Sequence, residues 1–193
     1  IGVGLVGSEM CIRDRNTVAQ YFADNTGKFK QSFRRSNLLT LIDSVSPAIL
    51  SSRMEVKMQR RFTPTLTAIQ NHTLRYPQNI ADTDDVNFRV TSTPFTSGGK
   101  TCIVRNRLNS NVLEVFDTIN TEVIVDNIGS YATDTVSIVG LQIDAIPSGD
   151  TFIKVSVVPE NQSFVTPLRQ DVLNHDVSNS LVEVVEVDVN VLN

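Results

Sequence analysis

After Pro64 the chain repeats one local pattern: short runs rich in valine, isoleucine and threonine, each closed by a turn signal. β-Branched residues lose rotamer freedom in a helix and pack well on a pleated surface, so such runs read as strands. The runs predict strands at 66–74, 86–92, 101–107, 112–117, 121–127, 135–142, 151–158 and 181–188. Between them stand Pro77-Gln78-Asn79, Ser97-Gly98-Gly99, Asn109-Ser110-Asn111 and Pro147-Ser148-Gly149-Asp150, which are turn chemistry. Such short connections join antiparallel strands, because a parallel pair needs a long crossover. The stretch NTEVIVDNIGSYATDTVSIVGLQI reads as a hairpin turning near Ala132 to Asp134. The last run, LVEVVEVDV, alternates unevenly, which suggests a bulge or an edge position.

The chain before Pro64 reads differently. Residues 32–43, SFRRSNLLTLID, place Phe33, Leu38, Leu41 and Ile42 near one helical face, with Ser32 as a cap and Pro47 as a stop. Residues 52–62, SRMEVKMQRRF, alternate, with Met54, Val56, Met58, Arg60 and Phe62 on one side, as in a half-buried strand. Arg60 is the exception on that side. A short helix is expected at 166–174, where Thr166 can cap and Pro167 suits the first turn. The fold class is α+β: a small helix-strand unit followed by a mostly antiparallel β-rich domain.

The first fifteen residues, IGVGLVGSEMCIRDR, stand apart. They begin without Met and lack the basic start and long apolar core of a signal peptide. They resemble translated sequencing-adaptor read-through at the edge of a gene prediction. Residues 1–15 are therefore expected to be non-native. The remainder divides by charge into a basic helix-strand unit, 16–75, and an acidic β-rich domain, 76–193.

That charge division is steep. Between Lys28 and Arg61 the net charge is +6, and from Asn111 to the end it is −11, in a chain of net charge −4. Opposite-signed segments suit complementary docking. They also suit two solvated faces of one domain.

Little points to chemistry. SGGKT at 97–101 lacks the glycine five residues before Gly99 that a phosphate loop needs, since position 94 is Pro94, and a strand follows where a helix should start. It reads as a glycine hairpin turn. His72 and His175 are isolated from any metal-ligand spacing. Asp82, Asp84 and Asp85 lack the glycine and distal glutamate of a calcium loop. Cys102 falls in an apolar strand and reads as a packed small hydrophobe. With two cysteines in 193 residues, a disulfide scaffold is not indicated. No run of about 18 apolar residues would span a membrane.

Two stretches carry a family resemblance. Residues 27–66, GKFKQSFRRSNLLTLIDSVSPAILSSRMEVKMQRRFTPTL, resemble the baseplate wedge protein of T-even-type contractile-tailed phages, a family related to baseplate J. NIGSYATDTVSIVGLQI and KVSVVPENQSFVTPLRQDVLNHD resemble its later part, with a cyanophage flavour. The likeness would make this chain the C-terminal portion of a longer protein. It implies a virion tail baseplate location after assembly in the host cytoplasm. The implied partners are a second copy, as a homodimer, and other wedge proteins, linked in a ring around the tail hub that rearranges on sheath contraction. Neither cofactor nor catalysis nor small-molecule substrate is implied. Arg34, Arg35, Arg53, Lys57, Arg60 and Arg61 are the candidate protein-interface residues, because arginine pairs with carboxylates through two bonds. The alternative is a nucleic-acid-binding module built on the basic 28–61 segment, which the acidic sequence pI of about 5.1 disfavours.

Overall fold

The computed structural model describes residues 3–47, 49, 51–147, 149–169 and 171–182, with side chains from residue 12 onward. The chain is α+β with β predominance, and its sheets are antiparallel. It divides into two compact units: Ile1–Met54 with Ser163–Asn193, and Glu55–Gln162. The charge boundary at 75/76 marks where basic sequence gives way to acidic sequence; packing divides the chain at 54/55 and 162/163.

The discontinuous unit holds helix α1 (Val3–Asn25), strand β1 (Phe33–Arg34), helix α2 (Arg35–Asp43), strand β12 (Phe164–Val165) and a 3-10 turn at Val177–Asn179. Along α1, Asp14, Val18 and Tyr21 are buried at helical spacing, which sets the face turned inward. Leu38 of α2 and Phe33 of β1 join them in the core. Phe22 stacks on Phe33 at 5.5 Å and on His175 at 4.3 Å. β1 pairs antiparallel with β12, Phe33 against Val165, and this ladder brings the two ends of the unit's sequence together.

That pairing corrects two expectations. The helix starts at Arg35 instead of Ser32, because Phe33 and Arg34 are spent on the ladder. Ser32 caps nothing; its hydroxyl donates to Thr166 Oγ1 at 3.1 Å. No helix forms at 166–174 among the described residues. The Gly27 amide donates to the Leu173 carbonyl at 2.9 Å, and the His175 ring stacks on Phe22. Expected strand 181–188 falls, from 183 on, outside the described residues.

The continuous unit is a two-sheet β structure. A seven-stranded sheet runs β2 (Met58–Phe62), β11 (Ile153–Val157), β4 (Val90–Ser92), β6 (Lys100–Asn106), β7 (Leu113–Asp117), β8 (Glu122–Val125), with β5 (Phe95–Ser97) hairpinned onto β6. A three-stranded sheet runs β3 (Ile69–Arg75), β10 (Thr135–Gln142), β9 (Gly129–Ala132). Period-2 burial is clean: Cys102, Val104 and Asn106 are buried on β6, and Ile153, Val155 and Val157 on β11. Each fully buried valine or isoleucine contributes about 1.5–3 kcal/mol. Tyr76 is fully buried, and its hydroxyl donates to the Val155 carbonyl at 2.9 Å.

Turn chemistry closes the strands as the sequence predicts. Gly98 and Gly99, both at positive φ, make the two-residue turn between β5 and β6, which is the primed hairpin geometry. The β9–β10 hairpin turns at Thr133-Asp134, with Ala132 opposite Thr135. Buried Asn106 does the work of several backbone groups. Its Oδ1 accepts from the Arg89 and Val90 amides at 2.7 and 2.9 Å, and its Nδ2 donates to the carbonyls of Arg107 and Ser110.

Candidate protein-contact surface

The six basic residues expected at an interface divide between the two units. Arg34, Arg35 and Arg53 belong to the discontinuous unit. Arg34 and Arg53 are exposed, while Arg35 is half-buried with a guanidinium nitrogen 3.5 Å from the Met54 carbonyl. Lys57, Arg60 and Arg61 belong to the continuous unit. Burial alternates through 52–62 as the sequence predicts, but only Met58–Phe62 forms a ladder. Arg60 points to the apolar side, where its Nε donates to the Arg75 carbonyl at 2.9 Å. Lys57 and Arg61 point to the opposite, outer side, and both are exposed.

The outer face of the seven-stranded sheet adds residues the sequence did not single out. Lys154 of β11 lies directly opposite Arg61. Like charges in that position repel. The Phe152 ring lies under both, 4.9 Å from the Arg61 guanidinium and 5.9 Å from the Lys154 ammonium. Farther along the same face, Arg105 pairs with Glu114 at 2.8 Å in direct register and stacks between Phe116 (3.4 Å) and Phe88 (4.5 Å). Glu114 is only 3% exposed there. The pair therefore fills a small second core on the outside of the sheet.

At the far edge, β8 is exposed. Val123 and Val125 stand 44% and 42% open, and Ile119 just before them 73%. Its flanking acids are tied to their own sheet, Glu122 to Lys100 and Asp126 to Arg107. Beside β8 an apolar cleft of about 250 Å³ opens between the two sheets, lined by Ile69, Val115, Val125, Ile128 and Leu141. A bulge in β10 at Val139-Gly140 borders it. The sequence reading expected a strand at 121–127 but did not mark it as an edge.

The residues weighed for chemistry occupy structural positions. Asp84 accepts from the amides of Val86 and Asn87 and pairs with Arg89 at 2.7 Å; the two amide bonds chiefly lower its pKa. The Cys102 thiol is fully buried, and burial pushes its pKa up, away from thiolate chemistry. His72 stacks on Phe62 at 3.9 Å, and burial lowers its pKa. Among the described residues no group of three or more His, Cys, Asp or Glu is placed to hold a metal ion.

Residues 8–61 match the family model described as baseplate structural protein gp6, C-terminal domain III. Over that stretch, which takes in most of α1, then β1, α2 and β2 to Arg61, the chain is similar to that domain. No curated protein matches the chain.

Proposed function

We propose that this chain is a structural component of a phage tail baseplate wedge. The observation that carries the reading is the match of residues 8–61 to a baseplate structural domain, which implies a structural role in a phage baseplate and contacts with other baseplate proteins. The likeness of the later β-rich sequence to the same wedge family supports extending it beyond residue 61. In this reading the chain works by contact: it binds a second copy and neighbouring wedge proteins, helps link wedges around the tail hub, and shifts its contacts when the sheath contracts. The basic residues Arg34, Arg35, Arg53, Lys57, Arg60 and Arg61 would lie at or near those contacts, with no cofactor and no substrate.

Exposed Arg34, Arg53, Lys57 and Arg61, in a chain whose later sequence is acidic, support contacts of complementary charge, which mainly set specificity and association rate. The test is co-expression with the other baseplate proteins of the same phage, followed by purification through a tag on this chain. Co-elution with a wedge subunit is expected, and charge reversal at Arg34 and Arg35 should reduce it at least tenfold. A chain that co-elutes with none of them would overturn the reading. Binding to DNA or RNA that weakens steeply with salt would favour the nucleic-acid alternative.

A further inference from the structure

β2 has a single ladder partner, β11, and so forms one end of the seven-stranded sheet. Its backbone is open to pairing on the other side. The Thr93 amide donates to the Lys154 carbonyl, and the Val158 amide to the Arg89 carbonyl, both at 2.9 Å. The even-numbered residues of β11 therefore turn their backbone groups toward β4. The odd-numbered ones, Ile153, Val155 and Val157, turn theirs toward Phe62, Arg60 and Met58 of β2. Alternation along an antiparallel strand then directs the amide and carbonyl groups of Gln59 and Arg61 away from the sheet. Among the described residues no strand takes them up.

The side chains beside this open backbone are cationic. Lys57 and Arg61 are exposed on the outer face, and among the described residues no carboxylate pairs with either. Lys154 stands directly opposite Arg61, where like charges repel. Charge on an edge strand ordinarily guards it against joining another sheet. Here the guard has one sign, so it rejects basic strands and matches an acidic one.

Deepening the baseplate reading above and resting on it, we propose that the β2 edge takes up an extended acidic segment of a partner baseplate protein as an added strand. Main-chain hydrogen bonds to Gln59 and Arg61 hold the segment, and its side chains set the choice of partner. Lys57 and Arg61 are four residues apart, which is about 13 Å along a strand. The segment therefore carries two carboxylates on one face at the same spacing, with the residue between them facing Gln59. A carboxylate beside Arg61 also relieves its repulsion with Lys154. A phosphate backbone would match the charges but leave the open carbonyls without donors, which favours a protein strand over nucleic acid.

Fluorescence polarisation of the labelled peptide TVEVTVEVT against the full chain tests this. Its glutamates share one face at the required spacing, and its valines share the other. Binding is expected, weakened by salt. TVEVTEVVT has the same composition with its glutamates on opposite faces and should bind about tenfold less tightly. Lys57→Glu with Arg61→Glu should weaken TVEVTVEVT by about the same factor and turn the preference to TVKVTVKVT. N-methylation of the two glutamate amides, which face β2 in this register, should abolish binding, whereas N-methylation of the valine amides should not. Circular dichroism would confirm that each variant folds. Equal binding of the two glutamate peptides, or indifference to N-methylation, would mean charge attraction without a ladder and would overturn the added strand. No binding up to about millimolar concentration would overturn it as well. Tighter binding of an oligothymidylate would put a phosphate backbone in the strand's place. Failure of the peptide while the chain still co-elutes with a wedge subunit removes this contact alone; failure of co-elution removes the baseplate reading.

Discussion

At the scale of single residues, Asp14 is the side chain most at odds with its surroundings. It occupies the row of α1 that Val18 and Tyr21 continue, is 5% exposed, and has one carboxylate oxygen without a hydrogen-bond partner. Burial raises its pKa. A buried polar atom without a partner costs about 1–3 kcal/mol, so Asp14→Leu should stabilise the discontinuous unit by about that much. Urea denaturation followed through that unit would show the midpoint rise; a fall would mean that the carboxylate has a role in the fold.

His72 makes a second prediction at this scale. Its ring packs against Phe62, and burial lowers its pKa below the ordinary 6.5. The neutral ring is the form the fold accepts. Its contribution to stability is present above about pH 6.5, where the unfolded ring is also neutral, and is lost as pH falls through the folded value. Thermal melts between pH 7.5 and 5.5 should show the continuous unit weakening with acid. His72→Phe keeps a ring on Phe62 and removes the proton, so its melting temperature should vary less over that range. An unchanged slope would move the acid sensitivity to another group. The sequence placed His72 outside any metal motif but did not reveal the ring stack, because Phe62 and His72 lie on strands of different sheets.

At the scale of elements, legibility followed the range of the interactions. Strands β3, β6, β7, β10 and β11 lie where valine, isoleucine and threonine cluster, because alternation along one strand is local. The turns at Gly98-Gly99 and Thr133-Asp134 were legible for the same reason. β1, β5 and β12 are two or three residues long. They exist because a distant partner supplies the hydrogen bonds, and nothing within them says so. Residues 166–174 have local helix signals, yet among the described residues no helix forms there. Of the candidate contact set, exposure of Lys57 and Arg61 was legible from alternation, whereas their cross-strand neighbour Lys154 was not.

The β9–β10 hairpin provides a test of how tightly such an element is fitted. Gly129 sits at φ 125°, and a Cβ there would lie 2.1 Å from the Ser137 carbonyl oxygen on the paired strand. That neighbour is backbone, so it cannot swing aside as a side chain would. Gly129→Ala should therefore destabilise the continuous unit by more than 2 kcal/mol, counting both the strained backbone and the displaced strand. Denaturant midpoints against the parent chain would measure it. Gly98→Ala, where a Cβ meets nothing within 4 Å, carries backbone strain alone and should cost less.

At the scale of the whole molecule, the chain leaves one unit after Met54, builds a second from Glu55 to Gln162, and returns to the first. The two ends of the second unit meet: the Val56 amide donates to the Gln162 side-chain oxygen at 3.1 Å. All ten of its strands, β2 to β11, find their ladder partners inside it. Its core, from Val90 and Phe95 to Val157, is drawn from residues of the same segment. A segment with its own core, its own ladders and adjacent ends has what independent folding requires. Residues 55–162 expressed alone should therefore unfold in one cooperative urea transition, with a β-type circular dichroism spectrum. Residues 1–54 alone should not behave so, because β1 loses its β12 partner and Phe22 loses His175. Adding residues 163–182 as a separate peptide should restore part of the lost structure. If instead 55–162 unfolds gradually while the full chain unfolds sharply, the second unit depends on the first, and association assays must keep the chain whole.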